Sequence, residues 1–78
     1  MPSFHAPDVV AQLLAQALGH RASDLHLEPV ASGYEARLRI DGLLTPIATY
    51  PEPDGRAVVT RLMVLAKLLT YRPDVPQA

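Results

Sequence analysis

Apolar residues at 9, 10, 13, 14, 17 and 18 recur at helical spacing, so Val9, Val10, Leu13, Leu14, Ala17 and Leu18 predict one apolar stripe on a helix over residues 7–18. Pro7 suits the first turn, where a missing N–H costs nothing, and Asp8 suits the positive end of the helix dipole. Gly19 is the expected stop, with His20 and Arg21 just beyond it.

The pattern then changes to a period of two. Residues 23–29, Ser-Asp-Leu-His-Leu-Glu-Pro, alternate strictly and predict a strand. Leu25 and Leu27 face inward, while Asp24, His26 and Glu28 face the other way. Pro29 ends this strand or sits at its edge. Ala31-Ser32-Gly33 reads as a turn, and residues 34–40 alternate again. Tyr34, Ala36, Leu38 and Ile40 share one face; Glu35, Arg37 and Arg39 share the other. Asp41-Gly42 between two apolar runs is the strongest short hairpin signal, because both turn positions need positive φ. Residues 43–50 form the return strand, in which Pro46 marks an edge position or an irregularity.

Residues 51–55, Pro-Glu-Pro-Asp-Gly, read as a loop, with Asp54 as the N-cap of a second helix. Val58, Val59, Leu62, Leu65, Ala66 and Leu69 give that helix its apolar stripe. The order is helix, three strands, helix. A three-stranded sheet cannot hide an apolar face alone, and two amphipathic helices laid across that face would do so. The expected fold is a two-layer α+β sandwich with a mainly antiparallel sheet and both helices on one face. Residues 1–78 are expected to be one domain, with 1–6 a flexible terminus and 71–78 an extended linker.

Composition narrows the function classes. With 78 residues there is room for one domain. The chain has no cysteine, so disulfides and thiolate metal sites are ruled out. Seven basic and eight acidic residues leave a net charge of −1 with no basic run, so a nucleic-acid partner is not expected. No apolar stretch approaches the ~18 residues of a membrane span, and no signal-peptide pattern opens the chain, so a cytosolic location is the expectation. No Gly-x-x-x-x-Gly-Lys-Ser/Thr run occurs in the sequence, so these residues are not expected to hydrolyse ATP by themselves.

Two constellations could carry chemistry. Asp24, His26 and Glu28 combine imidazole and carboxylates on one strand face, as a zinc site or an acid/base pair would. Side chains on one strand splay apart, however, and no second cluster completes a site; a solvated strand face is the plainer reading. Arg37 and Arg39, two apart on one face, could clamp a phosphate or carboxylate. The plainer reading is an exposed pair balanced by Glu35 and Asp41.

The exact words of the sequence add a resemblance. Ala22-Ser23-Asp24-Leu25-His26-Leu27-Glu28-Pro29 resembles the signature Ala-Ser-Asp-Ile-His-Ile-Glu-Pro of the type II secretion and type IV pilus assembly ATPases. Arg37-Leu38-Arg39-Ile40-Asp41-Gly42 matches that family's Arg-x-Arg-x-Asp-Gly at the expected distance. The helix ending at residues 61–69 and the pair Pro76-Gln77 follow in family order. One departure lies just before Pro-Gln, where many relatives carry a basic pair and this chain has Arg72-Pro73-Asp74-Val75.

The resemblance is to the PAS-like domain ahead of the motor domain. It implies a chain without its own cofactor, serving ATP and Mg²⁺ held by a motor domain that follows the Pro-Gln pair. It also implies a hexameric ring at the cytoplasmic face of the bacterial inner membrane, with the motor domain and neighbouring subunits as partners. In such a ring, arginines of this domain approach the nucleotide phosphates as fingers. The resemblance maps that role onto Arg37 and Arg39, with Arg37 ahead. It makes Asp24, His26, Glu28, Asp41 and Gly42 fold and interface residues. A free-standing adaptor that keeps the fold without the motor is the alternative.

Overall fold

The computed structural model describes residues 4–70, with side chains through Leu68. The expected linker at 71–78, the first three residues of the expected flexible terminus, and the Leu69 side chain lie outside the described residues. Helix α1 spans Ala6–Gly19, followed by strands β1 (Asp24–Val30), β2 (Gly33–Ile40) and β3 (Leu43–Tyr50) and by helix α2 (Glu52–Thr70). The strands form one antiparallel sheet in the order β1-β2-β3.

Both helices cover one face of the sheet. Val10 and Leu13 of α1, Ala36 of β2 and Val58 of α2 form the buried centre. Leu25 and Leu27 of β1 pack against it from the sheet, and Leu62 and Leu65 from α2. Leu38 is fully buried on the central strand. The strand alternation therefore places its inward residues as the pattern requires. The predicted α1 stripe is wider than the face that is buried, since Leu14 and Leu18 stay exposed; Met63, Val64 and Leu68 of α2, outside its predicted stripe, are exposed as well.

Both helix boundaries near glycine differ in part from the sequence reading. Helix α1 ends at Gly19, the expected stop, but Gly19 is its last helical residue and does not supply the left-handed closure. Arg21 instead takes the left-handed conformation, with φ 54°. Its N–H donates to Leu18 O at 3.1 Å and the Ala22 N–H to Ala17 O at 2.9 Å, a Schellman closure with arginine in the glycine position. Helix α2 begins at Glu52, so Asp54 lies in its first turn and is not a cap preceding it. Pro53 is tolerated there because a first-turn N–H has no intrahelical partner, and Glu52 and Asp54 complement the dipole. Gly55 belongs to this helix as well. A Cβ at that position would lie 2.4 Å from Tyr34 Cδ1, so glycine is what lets α2 approach the β2 side chain.

The hairpins follow the sequence closely. Asp41 and Gly42 have φ of 51° and 82°, the two positive values a tight two-residue hairpin requires. Strand β3 is an edge strand, and its register slips between Ala36↔Ala48 and Arg37↔Pro46, leaving Ile47 as a bulged residue. Pro46 thus marks both an edge and an irregularity.

Candidate functional site

The face of the sheet away from the helices carries the charged residues of β1 and β2, paired in register. Asp24 stands opposite Arg39, His26 opposite Arg37, and Glu28 opposite Glu35. Two strands with period-two patterns put all six on one side, and antiparallel pairing brings acid and base within reach.

The arginines are already engaged. Arg37 Nε donates to Glu35 Oε1 at 2.6 Å, and Arg37 Nη1 lies 3.5 Å from Glu28 Oε2. The hydrogen bond and charge of Glu35 raise the Arg37 pKa above the ordinary guanidinium value; partial burial opposes this, and Glu28 adds to it. Arg39 Nε donates to Asp24 Oδ2 at 2.8 Å, and its Nη1 donates to the Gly42 carbonyl at 3.2 Å. The second balancing acid is therefore Asp24 from the neighbouring strand and not Asp41, whose backbone is committed to the turn. His26 Nε2 is buried with no hydrogen-bond partner and lies 3.7 Å from Asp24 Oδ2.

This arrangement bears on both candidate constellations. Asp24 is held by Arg39, and Glu28 is close to Arg37. Asp24, His26 and Glu28 do not converge: among the described residues no group of three or more His, Asp or Glu side chains is placed to hold a metal. The two arginines present their charge on one open surface, with side chains 31% and 37% exposed. Guanidinium groups held by surface carboxylates can exchange partners with a phosphate, since an exposed ion pair contributes little.

A separate groove of about 460 Å³ lies on the helical side, lined by Ala6, Pro7, Pro53, Arg56, Ala57, Thr60, Arg61 and Val64. It is open and largely apolar, and none of the sheet-face charges lines it. Arg61 Nε is buried without a hydrogen-bond partner. Nothing in the local pattern of either helix announced this groove, which exists only because α1 and α2 meet there. The groove also carries two guanidinium groups, but Arg56 is paired with Glu52 and Arg61 Nε is buried among apolar neighbours. For phosphate chemistry the sheet face is the stronger candidate, because Arg37 and Arg39 stand on one open surface within the Arg-x-Arg-x-Asp-Gly segment. No helix among the described residues is long and apolar enough to cross a membrane.

The known proteins similar to this chain agree with the motifs. The Escherichia coli "Protein transport protein HofB homolog" is 40% identical over 75 residues, covering 94% of this chain and 16% of that protein. The "Type IV pilus assembly ATPase PilB" of Acinetobacter baylyi is 38% identical over 68 residues, 87% of this chain and 12% of that protein. The "Type II secretion system protein E" of Xanthomonas campestris is 35% identical over 69 residues, 88% of this chain and 12% of that protein. The chain thus spans less than a fifth of the length of these curated relatives. Residues 4–78 match the family described as "Type II/IV secretion system protein". The chain belongs to that family, as an N-terminal domain of the secretion and pilus ATPases.

Proposed function

We propose that this domain is an accessory, nucleotide-sensing and ring-assembly module of a secretion or pilus ATPase. In this reading Arg37 and Arg39 approach the phosphates of ATP held, with Mg²⁺, by a motor domain. The observation that carries it is their placement side by side on the sheet face that the helices leave uncovered. A charge delivered from outside the phosphate-holding site neutralises the transferring phosphoryl group, as arginine fingers do. The Glu35 and Asp24 ion pairs hold both guanidinium groups in place until a phosphate competes for them. Neighbouring subunits of a hexameric ring, working at the cytoplasmic face of the inner membrane, are the proposed partners.

The test is ATP turnover by a matching motor domain with and without this chain added, beside each part alone. The proposal expects faster turnover in the mixture and loss of the gain with Arg37→Ala/Arg39→Ala. An unchanged rate in the mixture, together with wild-type turnover by a covalently joined double variant, would overturn it. A second reading, a stand-alone protein-binding adaptor, is favoured by the apolar groove at Pro7, Pro53 and Val64. It expects a bound protein partner whose affinity falls with Val64→Asp and is indifferent to both sheet-face arginines.

A further inference from the structure

The ion pairs of the sheet face divide its two arginines unequally. We infer that Arg39 is the guanidinium that leaves the face to meet a phosphate, that Arg37 is a positioning group, and that His26 replaces Arg39 on Asp24. The inference rests on the phosphate-contacting reading above and assigns its residues.

Arg37 bridges a like-charged pair. Glu28 and Glu35 stand directly opposite each other across β1 and β2, an arrangement that repels unless a cation lies between them. Arg37 lies 2.6 Å from one and 3.5 Å from the other. If it swings away, the two carboxylates face each other. The nearest other guanidinium on the face, Arg39, is held by Asp24. Arg37 also sits at the register slip opposite Pro46, where the bulge fixes the local twist.

Arg39 is placed differently. It answers to one carboxylate, Asp24, and to the Gly42 carbonyl at the tip of the β2–β3 hairpin. Asp24 has a second neighbour: the buried, unpartnered His26 Nε2 is 3.7 Å from the same Oδ2 that Arg39 holds. A shift of about 1 Å would bring that nitrogen to hydrogen-bond distance. The departure of Arg39 would then give Asp24 a new donor and His26 its missing partner, so an unsatisfied buried group is removed as an exposed one is freed. Among the described residues, Asp24 has a second nitrogen within 4 Å, His26 Nε2, whereas Glu28 and Glu35 have only Arg37 at that range.

The experiment measures steady-state ATP turnover in an intact secretion or pilus ATPase containing this domain, with the melting temperature of each variant of this chain as the folding control. Arg39→Gln is expected to lower kcat about 10³-fold with little change in melting temperature. Arg37→Gln is expected to lower the melting temperature, and adding Glu35→Gln to restore it; the kcat loss of that double variant is expected to be at least about tenfold smaller than that of Arg39→Gln, short of a finger's contribution. His26→Phe, which cannot donate to Asp24, is expected to lower kcat about tenfold at unchanged KM for ATP, and His26→Gln to restore it. A 10³-fold loss confined to the Arg37→Gln/Glu35→Gln variant would overturn this division of roles while leaving the phosphate-contacting reading intact. Wild-type kcat in every arginine variant would overturn both.

Discussion

Two glycines in this chain sit inside helices, and the packing around them predicts opposite outcomes for the same substitution. Replacing a helical glycine by alanine favours the helix by up to about 1 kcal/mol, through lower backbone entropy in the unfolded chain. At Gly19 an added Cβ would meet nothing within 4 Å, so Gly19→Ala keeps most of that gain. Its place at the last position of α1 puts the expected stabilisation near 0.5 kcal/mol, a rise of about 2–4 °C in melting temperature for a domain of this size. At Gly55 the added Cβ would lie 2.4 Å from Tyr34 Cδ1, 2.7 Å from Cβ and 2.8 Å from Cγ. Rotation about the Tyr34 Cα–Cβ bond moves Cγ and Cδ1 but not Cβ, so a rotamer change cannot clear the 2.7 Å contact; strand or helix must move. Overpacking of this kind costs about 1–3 kcal/mol, which outweighs the propensity gain. Gly55→Ala is therefore expected to lower stability by about 1–2 kcal/mol, or roughly 5–10 °C. Thermal unfolding of the two variants and the wild type, followed by far-UV circular dichroism, reads both signs at once. A Gly55→Ala variant that melts at or above the wild type would refute the close approach of α2 to β2.

Other consequences are equally direct. Arg21→Gly removes the strain of a non-glycine residue at φ 54° and is expected to stabilise the chain by about 1 kcal/mol in urea unfolding. Leu38→Ala empties a fully buried site on the central strand and should cost about 2–5 kcal/mol, a large share of the roughly 4–12 kcal/mol available to a 78-residue domain. Burial raises the Tyr50 pKa above its ordinary value of 10.0, so the folded state favours the neutral phenol. The stability linked to it is complete below that ordinary value and is lost as pH rises through the raised one. Denaturant midpoints measured from pH 9 to 12 should fall more steeply for the wild type than for Tyr50→Phe.

What could be read from the sequence, and what could not, follows from the range of each interaction. The Asp41-Gly42 hairpin, the alternation that buries Ala36 and Leu38, and the edge position of Pro46 depend on neighbours within a few residues. The start of α2 was hidden because Pro51, Pro53 and Gly55 each read as breakers. Two of them are harmless at a helix start, and the third is required by Tyr34, a residue about twenty positions away. The end of α1 falls at Gly19 as expected, but its left-handed closure was assigned to the wrong residue, because glycine is the usual left-handed residue and here Arg21 takes that role. The candidate arginines and the Glu35 partner of Arg37 were visible on one strand. The pairing of Arg39 with Asp24, and of Glu28 with Glu35, needs the β1–β2 register, which no single strand contains. The groove beside Arg61 needs the meeting of two helices and left no trace in either pattern.

The claim at the centre of this account is that the open sheet face serves a nucleotide bound elsewhere in the assembly. Its most direct test is the ATP turnover of an intact parent ATPase carrying Arg37→Ala/Arg39→Ala, at saturating ATP and with ring assembly verified by sedimentation. The account predicts assembled, folded protein whose turnover falls about 10³-fold. Assembled protein with wild-type turnover would contradict it and leave the sheet face without a part in the chemistry.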